Sequence, residues 1–446
     1  MHKVLIANRG EIAVRIVRAC KDMGIASVAV YSDADKDALH VNMADEAVHI
    51  GPPIARKSYL NMERILTAAK ETGADAVHPG YGFLAEITAF ADGCEEAGLK
   101  FIGPPAPAIA LSGNKSQARK TLREIGIPVI PGSEGVVDNT EAAVEEAEKV
   151  GFPVILKASG GGGGRGMRIA NSAAELVGAF PTASGEALAS FGDPDIYVEK
   201  YIRRPRHIEV QILADSHGNV VHLGERECSI QKRYQKLIEE SPSPFVDENL
   251  RHKMGETAVA AAKAVGYENA GTVEFLVDAD KNFYFMEVNA RVQVEHPVTE
   301  MVTGIDIIAE QLSITAGKTL SVSQKDVVLR GWSLECRINA ADPDNDFAPS
   351  PGEVDSVVLP GGPWVRIDTY LAPGCFVPPF YDSLVAKLVI WAPDRPSAIA
   401  RMQRALSELT VQGIQVTTSF HRKILAHEDF RSGDFDTHFL EQFRAI

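Results

Sequence analysis

Ser159 is followed by five consecutive glycines, Gly160 to Gly164, and then by Arg165-Gly166-Met167. Bare backbone of this kind is entropically expensive to order, and here it comes directly after the strand-like Pro153-Val154-Ile155-Leu156-Lys157. The chemistry it suits is phosphate binding: backbone N–H groups close over the anion while Lys157 and Arg165 add positive charge. The bland alternative is a linker. Linkers are Gly/Ser mixtures between domains, whereas this run lies between two strand-like segments. Its spacing does not match the Walker lysine motif, so the nucleotide fold is a different one.

A second candidate is the stretch Thr272 to Asn289. If it is a hairpin with its loop centred on Asp280-Lys281, Glu274 faces Glu287 across the ladder, and residues directly opposite point to the same face. Two facing carboxylates repel unless a cation sits between them, and magnesium accepts both carboxylate and phosphate oxygens. In a slipped register they are two separate surface glutamates. From Glu287 onward polar groups fall at every second residue: Glu287, Asn289, Arg291, Gln293, Glu295. If the segment stays extended they line one face, although alternation of this sort also marks a strand with one solvated side. A third feature, Gln231-Lys232-Arg233-Tyr234-Gln235-Lys236, is basic within an acidic protein and reads equally as a solvated charge run or as part of an anion site. Asn8-Arg9-Gly10-Glu11 follows a strand and starts a helix, but with one glycine it is a poor dinucleotide site.

The elements that must position these groups follow from periodicity. Short apolar runs (Val4 to Ala7, Ser27 to Tyr31, Asp75 to Val77) alternate with helical stretches (Glu11 to Asp22, Tyr59 to Glu71), which predicts βαβ units and a parallel sheet closing near residue 112. The middle of the chain changes character. Glu209 to Leu223 reads as a hairpin, its alternating Ile208, Val210 and Ile212 turning at His217-Gly218-Asn219 into Val221 and Leu223. After about residue 330, strands at Ser333 to Asn339, Val354 to Leu359 and Leu384 to Trp391 and a helix from Pro396 to Leu409 suggest a third, smaller α+β unit.

A chain of 446 residues is consistent with three units of about 150 residues each. The apolar fraction of 45% and charged fraction of 24% fit a soluble globular protein. A net charge of −15 argues against broad nucleic-acid binding, which needs clustered positive charge. The five cysteines are far apart and show no zinc or redox spacing, which fits a reducing cytoplasm. The apolar part of the N-terminus is too short for a signal peptide, and no run approaches the ~20 apolar residues of a membrane span.

Taken together, the glycine loop after Lys157, the Glu274/Glu287/Asn289 group and Arg291-Val292-Gln293-Val294-Glu295-His296-Pro297 resemble the ATP-grasp biotin carboxylases, such as the biotin carboxylase subunits of acetyl-CoA carboxylase and of related acyl-CoA or pyruvate carboxylases. The resemblance includes Ile6 to Ala13, His78 to Leu84 and Glu335-Cys336-Arg337-Ile338-Asn339, and so spans essentially the whole chain. It implies an α/β and α+β architecture: a Rossmann-like domain over 1–112, an ATP-grasp domain over 113–330 with a mobile lid at about 131–203, and a small α+β domain over 331–446. Carried over by motif, Lys115, Lys157, Gly163, Gly164, Glu199, Lys200, Tyr201, Ile202, His207, Gln231, Tyr234 and Leu276 would contact ATP. Glu274, Glu287 and Asn289 would hold magnesium or manganese. Lys236, Arg291, Gln293 and Val294 would surround bicarbonate, and Tyr81 would join the substrate contacts.

The implied chemistry makes Glu295 the general base on bicarbonate, whose oxygen attacks the γ-phosphate to give carboxyphosphate. Carboxyphosphate yields CO₂ and phosphate, the phosphate takes the ureido proton of biotin, and Arg337 stabilises the resulting enolate. The resemblance also implies a homodimer working with a biotin carboxyl carrier protein and a carboxyltransferase subunit. This sequence departs from the family pattern at Tyr234, where histidine is usual, and at Pro363, where some members place an aromatic at a dimer interface. Two rival readings are another ATP-grasp ligase, against which Arg337 and His78 to Leu84 speak, and a catalytically silent ATP-binding subunit.

Overall fold

The computed structural model describes residues 1–159 and 167–445, with the backbone alone at Lys115, Ser116, Gln442, Arg444 and Ala445. Apolar runs too short for helices form a first sheet of parallel strands, β1 (Lys3–Ile6), β2 (Ala26–Ser32), β3 (Glu46–Gly51), β4 (Ala76–His78) and β5 (Lys100–Phe101), in the order β3-β2-β1-β4-β5. The helix Gly10–Asp22 buries nearly its whole length against this sheet. Because β1 pairs with β2 on one side and β4 on the other, the connections that follow β1 and β4 diverge and leave a crevice at the strands' carboxyl ends. Asn8 spans it by donating Nδ2 to the carbonyls of Pro79 at 2.7 Å and Tyr81 at 2.8 Å.

A small second sheet, β6 (Val154–Ala158), β7 (Arg168–Ala170) and β8 (Ile196–Lys200), runs in the order β7-β6-β8 and carries the helices Thr140–Val150 and Ala173–Phe191. It has its own core of Val154, Leu156, Ile196 and Val198 under Ala143, Ala147, Leu176 and Phe180. Gly132 and Val137 clip the preceding segment to β8 by isolated bridges at Glu199 and Ile196.

The third sheet is the largest. Its strands are β9 (Arg206–Ala214), β10 (Val220–Lys232), β11 (Gln235–Ser241), β12 (Asn269–Val277), β13 (Phe283–Asn289), β14 (Trp332–Asn339), β15 (Val365–Thr369) and β16 (Leu384–Ala392), in the order β13-β12-β9-β10-β11-β14-β16-β15. The ladder between β11 and β14 pairs Ile238 with Cys336 and Glu239 with Glu335, so strands from the middle and last parts of the chain share one sheet. The hairpin expected from Glu209 to Leu223 is present, Val221 pairing with Leu213. The strand expected over Val354 to Leu359 is shorter, Ser356–Val358, and pairs with Thr410–Gln412 outside the large sheet.

Candidate active site

The hairpin of β12 and β13 brings Glu274 opposite Glu287, as expected, but by a different route. Its loop is 278–282, and continuing the Phe275↔Phe285 register would place Met286 opposite Glu274. A bulge inserts Met286 as an extra residue and restores the carboxylate pair. Asn289 lies two residues beyond Glu287 and so shares its face. The extended run expected through Glu295 ends at Asn289: residues 290–295 leave the ladder, and Glu295 becomes the N-cap of the helix His296–Thr303. Leaving the ladder turns these side chains inward over the sheet. Arg291 reaches back to Asn289 Oδ1 at 3.0 Å and out to Glu86 Oε2 at 2.8 Å, while Gln293 donates to Glu274 Oε1 at 2.9 Å.

The basic run divides according to its turn. Arg233 and Tyr234 both take positive φ, 51° and 65°, and form the tight turn between β10 and β11. On one side Lys232 and Arg233 pair with Asp346. On the other Lys236 points into the molecule and donates to Glu209 at 2.5 Å, Glu274 at 2.9 Å and Glu295 at 2.6 Å. Tyr234 stays 62% exposed at the tip.

Arg337 on β14 closes the group, with Nε donating to Glu239 at 2.6 Å and Nη2 to Glu295 at 2.9 Å. Glu295 is completely buried. Burial works to protonate it, but Lys236, Arg337 and Arg226 outweigh that and hold the carboxyl well below the usual range. It is therefore an ionised carboxylate spanning two cations. Arg226, also fully buried, supports it from beneath through Glu209 at 2.5 Å and Gln211 at 2.7 Å.

These groups lie along a cavity of about 1650 Å³ bounded by the crevice of the first sheet, the small sheet and the large sheet. One end is apolar, with Ile155, Ile169, Leu276 and Phe285 beside Tyr201 and Ile202. There Lys157 donates to Glu199, which also receives Arg119. Lys200 is turned aside to the carbonyls of Gly151 at 2.8 Å and Phe152 at 3.0 Å. Tyr201 bonds His438 Nε2 at 3.1 Å, and Gln231 lies 2.7 Å from His207 Nδ1, whose other nitrogen is 3.0 Å from Glu274. The far end holds Tyr81, Val294 and Arg337. Of the residues expected at a site, Tyr234, Glu287, Asn289, Arg291, Gln293 and Lys236 also line the cavity, and Glu295 sits just behind its wall. Gly163 and Gly164 lie outside the described residues, as does the Lys115 side chain.

The oxygen donors of Glu274, Glu287 and Asn289 are hard ligands on one face, a set that fits magnesium or manganese. In this structure the Glu274 carboxylate is met by the Lys236 ammonium and the His207 imidazole and accepts an amide hydrogen bond from Gln293.

Three family models match the chain in sequence. One described as the biotin carboxylase N-terminal domain covers residues 1–109, one described as the carbamoyl-phosphate synthase L chain ATP-binding domain covers 114–323, and one described as the biotin carboxylase C-terminal domain covers 335–442. Biotin carboxylase 1 of Bacillus subtilis (strain 168) is 55% identical over 442 residues, spanning 99% of this chain and 98% of that relative. The chain belongs to the biotin carboxylase family.

The fold agrees with solved biotin carboxylases. The Campylobacter jejuni biotin carboxylase complex with β,γ-ATP superposes with a TM-score of 0.94 at 49% identity, covering 99% of this chain and 98% of that one. The biotin carboxylase domain dimer of Hydrogenobacter thermophilus 2-oxoglutarate carboxylase, in complex with MgADP, ADP and bicarbonate, gives 0.93 at 48% identity, covering 99% and 97%. Several residues of the site carry no motif of their own: Arg119, Glu209, Arg226 and Glu239 are buried polar groups. Only Glu209 had a usable signal, since the alternation of Ile208, Val210 and Ile212 leaves it and Gln211 on the polar face of β9.

Proposed function

We infer that this protein uses ATP and bicarbonate to carboxylate biotin, through carboxyphosphate, as the first half-reaction of a biotin-dependent carboxylase. The observation that carries this reading is the Glu295 carboxylate held between Lys236 and Arg337 at the wall of the cavity. It combines a base with two cations whose charge an incoming anion can share.

Lys157, Glu199, Tyr201, Ile202, His207, Gln231, Leu276 and Tyr234 receive the nucleotide at the apolar end, joined by Lys115, Gly163 and Gly164. Glu274, Glu287 and Asn289 would hold magnesium or manganese, which when bound would offset charge on the phosphates. Bicarbonate sits by Arg291, Gln293, Val294 and Lys236, and its negative charge draws the cations away from Glu295. That frees the carboxylate to take the bicarbonate proton. Lys236 and Lys157 offset the charge developing on the transferred phosphoryl group. Tyr81 and Arg337 line the far end, where the guanidinium meets the biotin enolate. Closure of the 131–203 segment over the nucleotide end keeps water from the carboxyphosphate.

The reading includes a separate biotin carrier protein and a carboxyltransferase as partners, and a homodimer. Trp364, next to Pro363, is 59% exposed and lies tilted against Trp391, with ring centroids 4.9 Å apart, an apolar surface that supports self-association. No helix among the described residues is long and apolar enough to cross a membrane.

The test is ATP hydrolysis with magnesium and bicarbonate, with and without free biotin. Biotin-stimulated turnover that falls at least about 100-fold in Glu295→Gln and Arg337→Ala supports the assignment. Turnover indifferent to biotin transfers it to another ATP-grasp ligase.

A further inference from the structure

Behind the Arg337 guanidinium the large sheet sets a second pair of acids face to face. Glu239 on β11 pairs with Glu335 on β14, so both side chains leave the same face about 5 Å apart at Cβ. Both residues are 0% exposed. Glu239 Oε1 accepts from Arg337 Nε at 2.6 Å. Glu239 Oε2 and both oxygens of Glu335 have no hydrogen-bond donor among the described residues.

The neighbouring cations are engaged elsewhere. Arg337 is shared with Glu295 at 2.9 Å. Lys387, directly across from Arg337 on β16, donates to the Val294 carbonyl at 3.0 Å and stands 3.2 Å from Glu11 and 3.9 Å from Asp368. The other titratable groups packed around the pair add little. His296, His421 and Cys228 are all held neutral, chiefly by burial, and Glu300 on the helix over β14 is paired with Arg15 and Arg366. Two ionised carboxylates this close in a dry interior, with donors for only one of their four oxygens, are far costlier than one carboxylate and one acid.

We propose that Glu239 and Glu335 hold a single proton between them, with Glu335 as the neutral acid donating to Glu239, and that Glu335 thereby positions Arg337 against Glu295. Burial keeps the Glu335 carboxyl well above its usual range, and Glu239 and Glu295 reinforce this against Lys387 and Arg337. Were Glu335 ionised, it would compete with Glu295 for the guanidinium and draw it out of the cavity. Glu335 touches no substrate. It acts through the orientation of Arg337, so its part in turnover rests on the function proposed above, whereas the shared proton does not.

The proton is read first, on the intact protein without substrates. Infrared difference spectra at neutral pH should show one protonated carboxyl stretch lost between wild type and Glu335→Gln. A spectrum with no difference in that band overturns the proposal whatever the enzyme's activity. Kinetics read the positioning. Gln keeps a neutral donor, so Glu335→Gln should retain biotin-stimulated turnover within about threefold of wild type, while Glu335→Leu, which leaves Glu239 unsatisfied, should lose about tenfold or more in kcat with KM for ATP unmoved. The wild-type rate should decline on the alkaline side as Glu335 ionises, and Glu335→Gln should lack that decline. Equal damage from Gln and Leu, with both melting like wild type, refutes the positioning role. Absence of biotin stimulation in the wild type refutes the proposed function and leaves the infrared result standing.

Discussion

Lys236 bridges three buried carboxylates with one ammonium, and burial, which works against its charge, is outweighed by Glu209, Glu274 and Glu295. Removing the charge leaves those acids facing one another. Lys236→Met should lower unfolding stability in urea by about 3–5 kcal/mol and remove biotin-stimulated turnover. Tyr234 makes the opposite prediction. Exposed at the tip of its turn while lining the cavity, it takes no part in the Lys236–Glu295–Arg337 group, so Tyr234→Ala should raise KM for ATP several-fold and spare kcat. The sequence shows both residues only as members of one basic run. What separates them is the turn at Arg233-Tyr234, which leaves Tyr234 exposed at its tip and brings Lys236 back to Glu209, Glu274 and Glu295, a distinction that charge patterning cannot carry. Glu239 had no signal at all, because Arg337 comes from a strand distant in sequence, and Arg226 had none because the register shift between His222 and Glu225 decides that it faces Glu209 across the hairpin.

Gly132 shows how an element outside the cavity sets its shape. A Cβ there would lie 2.3 Å from the Val198 carbonyl and 3.0 Å from the Glu199 Cα, backbone atoms that cannot step aside. Gly132→Ala should therefore displace β8, which carries Glu199 and Lys200, costing about 1–3 kcal/mol of stability and raising KM for ATP by about tenfold. Thermal melts and ATP titrations check the two parts separately. The facing glutamates of β12 and β13 were legible in outline from the alternation and the turn residues. The bulge at Met286 was not, since an extra residue in a strand looks like any other apolar residue. The departure of 290–295 from the ladder was equally hidden, because period-two polarity is the same whether or not a partner strand is present.

Across the whole molecule, buried imidazoles govern acid stability. Burial pushes His78 down to about 3 and His40 and His421 down to about 4. They stay neutral in the fold while the unfolded chain takes up protons below about 6.5, so their contribution is whole above that pH and shrinks as pH falls, by up to about 1.4 kcal/mol per pH unit for each. Glu11 runs the other way: burial raises it to about 7, and its contribution is lost as pH rises from about 4.5 through 7. His78→Asn should thus show a smaller fall in melting temperature between pH 7 and about 5 than wild type, whereas Glu11→Gln should deepen that fall. The strands of the last third were readable from sequence, but nothing local marks β11 as the neighbour of β14. That ladder means covalent continuity is not what joins the two parts. Lys318 and Lys325 lie in an exposed connection between the helix Ile307–Thr315 and β14, and the pairs from Ile238↔Cys336 to Ser241↔Ser333 would span any nick there. A protein clipped at these lysines should migrate as two fragments under denaturing conditions, elute as one species under native ones and keep its turnover. Two polypeptides made separately with their ends at that connection should reassemble into the same enzyme.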